Sequence, residues 1–139
     1  MTLIYSRINQ DKLLHIIHRS SEFSGRNELV SPEHFLQVAT LELDKGKNFD
    51  PHKHIWKTLE SNMSIAQESW VIIRGQVEVT LYDLDDEVLS SYVLNPGDIS
   101  ITLYGGHSYR VLEDTLAYEF KTGPYFGQAL DKEFIGREE

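Results

Sequence analysis

Glu68-Ser69-Trp70-Val71-Ile72-Ile73-Arg74-Gly75-Gln76-Val77-Glu78-Val79-Thr80-Leu81-Tyr82 is the stretch whose reading decides the fold class. Its first half is β-branched and aromatic, and its second half alternates apolar with polar residues. Gly75-Gln76 supplies a turn between them, so the pattern predicts two antiparallel strands joined at Gly75. The same grammar continues downstream. An acidic turn from Asp83 to Glu87 precedes Val88-Leu89-Ser90-Ser91-Tyr92-Val93-Leu94, which Asn95-Pro96-Gly97-Asp98 breaks sharply. Ile99-Ser100-Ile101-Thr102-Leu103, Ser108-Tyr109-Arg110-Val111-Leu112 and Thr115-Leu116-Ala117-Tyr118-Glu119-Phe120-Lys121 follow, separated by Gly105-Gly106 and by Glu113-Asp114. Strands at spacings of about 8–12 residues with turn signals between them predict an all-β sandwich or barrel rather than βαβ units.

Upstream of this stretch, Leu36-Gln37-Val38-Ala39-Thr40-Leu41-Glu42-Leu43 alternates with one slip, which predicts a half-buried strand carrying a bulge. Gly46 then opens a loop. The first thirty residues are the least regular. Asp11 to Arg19 fits either two helical turns after an Asp cap or a continuous apolar strand. Ser31-Pro32-Glu33-His34 has the pattern of a single helical turn. The tail from Gly123 to Glu139 is expected to pack its aromatics on the outside of the barrel. The resulting organisation is one domain: an N-terminal extension over 1–34, then a barrel and its tail over 35–139. Trp56, Trp70, Tyr104, Tyr109 and Phe120 read as core aromatics, and Arg74 and Arg110 as part of a solvated strand face.

A chain of 139 residues suits one domain and needs neither disulfide nor metal merely to fold. Its 13 Lys and Arg against 22 Asp and Glu give a net charge of −9. The one basic excess, Lys45, Lys47, Lys53 and Lys57, is interspersed with acids, which argues against a nucleic-acid partner. With no Cys, disulfides, iron–sulfur clusters and thiol nucleophiles are excluded, and any metal must be held by His, Asp or Glu. The N-terminus lacks the pattern of a secretory signal, and no apolar run approaches the roughly 18 residues of a membrane span. The expected location is the cytoplasm, with no membrane partner.

His52 and His54 form His-Lys-His, and in an extended segment residues i and i+2 project to one face. Two imidazoles on one face can share a metal or a substrate. Glu68 lies seven residues before Gly75, and His107 follows Gly105-Gly106. His15, His18 and His34 read as structural or exposed background.

With these residues in place, the chain resembles the cupin superfamily of small jelly-roll barrels, or double-stranded β-helices. Gly46, His52, His54, Glu68 and Gly75 follow the family's first motif in order. Pro96-Gly97-Asp98 with Gly105-Gly106-His107 follows its second. Thirteen residues separate His54 from Glu68 where the family has only a few, so Ile55 to Gln67 carries a loop insertion. The second motif lacks its inner proline, its His comes one residue early, and the Asn that follows in the family is Val111 here. Either Gln67 or Glu68 could face the interior, since a one-residue slip reverses the faces. The spacing to Gly75 favours Glu68.

The resemblance implies that His52, His54, Glu68 and His107 surround a divalent transition metal, Zn, Mn, Fe, Ni or Co, with positions left open for a ligand. Within the superfamily the chain is similar to small cupins of polysaccharide and nucleotide-sugar metabolism, through Gln67 to Gly75, Leu81-Tyr82-Asp83, Asn95 to Ile99, Gly105-Gly106-His107 and Lys121 to Tyr125. It implies a homodimer binding a sugar or sugar acid, with isomerase or epimerase chemistry if it is an enzyme. Two alternatives stay open. One is a metal-free ketoisomerase or epimerase using His52 and His54 as proton shuttles, and the other a non-catalytic binding module. The insertion from Ile55 to Ala66 reads either as a lid or as a solvated excursion.

Overall fold

Residues 1–6, 8, 11–59 and 62–136 are described in the computed structural model. Fourteen strands run through these residues. They are β1 (Thr2–Tyr5), β2 (Leu13–Ile17), β3 (Arg26–Glu28), β4 (Leu36–Leu43), β5 (Asn48–His54), β6 (Lys57–Leu59) and β7 (Asn62–Ser64). The series continues with β8 (Glu68–Arg74), β9 (Val77–Tyr82), β10 (Val88–Leu94), β11 (Ile99–Thr102), β12 (Gly106–Val111), β13 (Thr115–Thr122) and β14 (Lys132–Phe134). A single helical turn, α1 (Gln128–Asp131), precedes the last strand. None of these elements is a helix long and apolar enough to cross a membrane.

Two five-stranded antiparallel sheets carry the molecule, in the orders β11-β8-β13-β4-β3 and β10-β9-β12-β5-β14. From β8 onward the chain passes between sheets at each turn except β9 to β10, and it also does so from β4 to β5. That alternation makes the all-β jelly roll, or double-stranded β-helix. It also corrects the expectation of a hairpin at Gly75. The strands on either side of Gly75 belong to different sheets, so this turn is a corner between layers. Gly75 adopts a left-handed φ of 86° there, and a Cβ would collide with the Asp114 carbonyl and with Thr115.

Alternate residues of the facing strands fill the interior. Leu41, Trp70, Ile72, Val77, Val79, Tyr109, Val111 and Ala117 form one apolar cluster between the sheets. Trp70 and Tyr109 stack with centroids 4.0 Å apart and planes 6° from parallel, while Phe49 meets Trp70 edge-on at 5.1 Å. Each aliphatic side chain fully buried in this way contributes about 1.5–3 kcal/mol relative to exposure. Of the five aromatics read as core, Trp70 and Tyr109 lie there and Phe120 is half-buried. Trp56 and Tyr104 are instead exposed, because both sit in connections between strands rather than on an inward-facing register. Arg74 and Arg110 are exposed, as their reading required.

The expected bulge in β4 is absent, since β4 pairs with β13 in unbroken register from Leu36–Thr122 to Leu43–Thr115. The slip in its pattern has another cause. Thr40 is fully buried on the outer face opposite Tyr118, whose ring is covered by Phe23 and His18 of the N-terminal segment. Both sides of β4 are therefore covered at its middle. Asp11 to Arg19 resolves as β2, a strand paired with β1 rather than helical turns. Ser31 to His34 is a turn closed by the His34 amide donating to the Ser31 carbonyl. β3 adds an edge strand to one sheet through β4, whereas β1 and β2 of the N-terminal extension pair with each other in a two-stranded sheet of their own.

The tail departs most from expectation. β14 pairs with β5 as an edge strand of the other sheet, Phe134 opposite His52 and Lys132 opposite His54. Tyr125 and Phe134 line the barrel cavity, and only Phe126 of the tail aromatics stands exposed. Pairing to β5 turns alternate residues inward, which an aromatic-rich tail without clean alternation does not announce. Residues 137–139 lie outside the described residues.

Candidate metal centre

β5 places His52 and His54 on one face, β8 contributes Glu68, and β12 contributes His107 from the strand between β9 and β5. All four side chains are buried, His107 completely. One ligand atom from each lies within 4.8 Å of the other three. His54 Nε2 is 2.9 Å from Glu68 Oε2, His107 Nε2 is 3.2 Å from His52 Nε2 and 3.7 Å from Glu68 Oε1. The choice between Gln67 and Glu68 is thereby resolved. Glu68 points inward, whereas Gln67 is half-buried and its backbone N–H donates to Thr122 Oγ1 at 2.9 Å.

Each ring is oriented through its other nitrogen. His52 Nδ1 donates to the Asp50 carbonyl at 2.8 Å, which leaves Nε2 as an acceptor. His54 Nδ1 donates to Asp131 Oδ2 at 3.1 Å. His107 Nδ1 is 2.7 Å from Thr102 Oγ1, a hydroxyl able to donate or accept, so it serves either tautomer of that ring. All three imidazoles thus present Nε2 to one point. Trp70 Nε1 donates to Glu68 Oε1 at 3.0 Å and fixes the carboxylate. Outer partners of this kind orient metal ligands in known sites.

The electrostatics separate the four groups. Burial opposes charge on Glu68, but the hydrogen bond from His54, with His107 and Lys121 nearby, holds its pKa well below the usual carboxylate range. Burial also works against an imidazolium at His54, yet Asp131 and Glu68 on its two nitrogens raise its pKa above the ordinary value. His107 is pushed down to about 4 by burial, with Glu68 opposing only in part. His52 is lowered by burial and by Lys132. Near pH 6.5 the metal-free site therefore favours neutral rings at His52 and His107 and the charged ring at His54, between Glu68 and Asp131.

The residues fit a divalent transition ion. Ligands about 2.1 Å from a shared ion lie no more than about 4.2 Å apart; the three donor distances above meet that limit, and the full set, held within 4.8 Å, meets it after a small inward shift of side chains. Three imidazoles and one carboxylate suit Zn, Mn, Fe, Ni or Co and poorly match the all-oxygen preference of Ca or Mg. Beside the cluster lies a cavity of about 540 Å³, walled by His52, Glu68, Trp70, Tyr109 and Phe134 and bounded by Arg26, Glu119, Lys121 and Lys132.

No family model matches the sequence, and no curated protein does. Solved structures do match. Klebsiella pneumoniae supplies an uncharacterised double-stranded β-helix protein with TM-score 0.57 at 15% identity, over 87% of this chain and 91% of that one. The chain has the double-stranded β-helix fold of the cupins. KdgF from a Halomonas species aligns with TM-score 0.54 at 21% identity, covering 70% of this chain and 76% of its own. CapF, solved with the inhibitor 3-isopropenyl-tropolone, aligns with TM-score 0.63 at 15% identity, over 84% of this chain and 36% of its own.

Several site residues of this barrel carry no sequence signal. Asp131 lies 77 residues from His54 yet holds its ring, in a tail with no motif. Arg26 reaches the cavity from the irregular N-terminal segment and pairs with Glu119 at 2.8 Å and Glu28 at 2.8 Å. Thr102 has a partial signal, because alternation along β11 turns it to the same side as buried Ser100. Of the background histidines, His15 and His34 are exposed, and His18 Nδ1 pairs with the Tyr118 hydroxyl at 2.9 Å. The insertion forms the β6–β7 hairpin, and residues 60 and 61 lie outside the described residues. Its Lys57 is buried, donating to the Pro124 carbonyl at 3.0 Å and lying 3.4 Å from Asp131 Oδ1.

Proposed function

We propose that this chain is a metal-dependent cupin that binds a compact hydroxylated acid, of the size and polarity of a sugar acid, and performs isomerase or epimerase chemistry beside its carbonyl. One observation carries the reading: three imidazole Nε2 atoms and one carboxylate converge beside a cavity of about 540 Å³, with His52 and Glu68 forming part of its wall. That volume lies within the usual range for small-molecule sites. A divalent ion held by His52, His54, Glu68 and His107 would polarise a carbonyl or hydroxyl and stabilise charge developing on its oxygen.

The remaining lining supports a polar ligand. Lys132 and Lys121 offer cations to a carboxylate, and Lys121 is steadied by Asp131 at 3.2 Å and by the Tyr125 ring 4.4 Å from its Nζ. Glu28 and Glu119, both tied to Arg26, offer acceptors to ligand hydroxyls. Phe49 and Phe134 supply apolar faces of the kind a sugar ring packs against. Glu119 and Lys121 are the side chains at the cavity wall placed to hold or move a proton. The metal-free alternative is less well served, because His54 is engaged on both nitrogens and does not line the cavity. Homodimerisation is part of the same proposal, since edge strands β10 and β11 expose Tyr92, Val93, Ile99 and Ile101. A monomeric mass at micromolar concentration refutes that part.

Calorimetric titration of zinc- or manganese-loaded protein with a panel of hexuronic and aldonic acids and their neutral sugars tests the proposal. Binding by acids that disappears after chelation supports it. Absence of binding by every acid, or binding that survives chelation unchanged, overturns it.

A further inference from the structure

The proposed ligand set leaves unexplained a buried carboxylate surrounded by cations at the other end of the chain. Asp131 is 1% exposed, at the end of α1, where no part of the barrel motif places it. Its Oδ2 accepts from His54 Nδ1 at 3.1 Å and lies 3.2 Å from Lys121 Nζ, while its Oδ1 lies 3.4 Å from Lys57 Nζ. Three elements thus meet at one carboxylate: β5 through His54, the insertion hairpin through Lys57, and β13 through Lys121. The backbone follows the side chain. The Asp131 carbonyl accepts from the Ile55 amide at 2.9 Å, β14 pairs with β5 opposite His52 and His54, and the Ile135 amide donates to the Pro51 carbonyl at 3.0 Å. Beyond it, Phe134 meets the His52 ring at 6.0 Å, and Ile135 packs so closely on Gly106 that a Cβ there would collide with it.

An imidazole ligates through the nitrogen its other hydrogen bond leaves free, so a carboxylate on Nδ1 both selects the tautomer and fixes the ring plane. We propose that Asp131 is a positioning residue that aims His54 Nε2 at the metal, and that the C-terminal strap of residues 128–135 is thereby coupled to metal occupancy. The inference rests on the metal reading of the site. A docked strap orients His54 for the ion, and by reciprocity a bound ion holds the strap down. The insertion acquires a role in the same device. Lys57 adds a further cation against Asp131 Oδ1, so the hairpin braces the strap rather than roaming in solvent.

Zinc affinity of the full chain, measured by competition with a chromophoric chelator, reads the coupling without any substrate. Asp131→Ala is expected to weaken zinc binding by about 10–100-fold, and Asp131→Asn, whose amide oxygen still accepts from Nδ1, to recover most of that loss. Amide exchange of the wild-type protein gives a second readout that needs no variant to fold. Zinc is expected to slow exchange across β14 and at Ile55 and Ile135. A wild type that takes up no zinc overturns both the metal reading and this inference. Wild-type uptake matched by equal affinity in Asp131→Ala, or by strap exchange indifferent to zinc, overturns this inference alone.

Discussion

The two ends of the barrel interior are built by the same strands and behave as different materials. Along β8 the inward residues run Glu68, Trp70, Ile72, and along β12 they run His107, Tyr109, Val111. At one end Ile72, Val77 and Val111 pack as an apolar plug. At the other, only four residues away along each strand, Glu68 and His107 are buried as well but every polar atom has a partner. The stacked Trp70–Tyr109 pair separates the two, and Trp70 belongs to both, packing on one side and donating to Glu68 on the other. Strand geometry decides which residues enter the interior. Residue chemistry decides whether that interior is a core or a site.

Truncation at each end breaks the comparison in a different way. Glu68→Ala strips the carboxylate from a buried His54 imidazolium, and breaking such a pair costs about 3–5 kcal/mol. Metal uptake by that variant is expected to fall more than about 100-fold, beyond the loss typical of an outer partner. Urea denaturation of the metal-free protein and elemental analysis after loading check the two effects. Ile72→Ala opens a void in the plug and is expected to cost about 2–5 kcal/mol in the same denaturation. Its folded fraction should still load metal to the wild-type stoichiometry, and a loss of loading there would show that the two ends are not separable.

Much of this division is legible in the sequence, for reasons that are local. Alternation along β9 and the glycine-marked turns give strand positions directly, and His52 with His54 at i and i+2 must share a face once the segment is extended. The resemblance singles out Glu68 and His107 through their distances to Gly75 and Gly106, which are distances along the chain. What is illegible depends on contacts across it. Asp131, Lys57 and Arg26 reach the site from the tail, the insertion and the N-terminal segment, and none has a periodic pattern to declare which way it faces. Gly75 shows the same limit in the fold. A strong turn signal establishes that the chain reverses, and says nothing of whether the next strand pairs with the last or crosses to the opposite sheet.

Acidity distinguishes the histidines of the polar end. With its pKa raised above 6.5, His54 stabilises the metal-free fold fully below 6.5, and that contribution is lost as pH rises through its folded value. His107, lowered to about 4, acts oppositely, its contribution present above 6.5 and lost as pH falls toward about 4. Metal uptake at pH 6.5 should therefore release more than about half a proton per ion, chiefly from His54. Titration in weak buffer measures this, and zinc affinity should rise with pH through the same range. Release near zero would mean that His54 is neutral before the metal arrives.

Two smaller effects sharpen the boundary of the site. Thr102→Val removes the hydroxyl 2.7 Å from His107 Nδ1 while keeping the volume. It should weaken zinc binding by about 10-fold, as read by chelator competition. Trp56→Ala, on the exposed part of the insertion, should shift stability by no more than about 0.5 kcal/mol. A larger shift in thermal denaturation would mean that this ring packs on a partner surface.

X-ray absorption at the metal edge of the zinc-loaded protein, purified without a polyhistidine tag, addresses the central claim most directly. The account predicts one ion per chain with three nitrogen neighbours and one carboxylate oxygen at about 2.0–2.2 Å, and loss of one nitrogen in His107→Ala. A shell of oxygens alone, or an unchanged spectrum in His107→Ala, would contradict it.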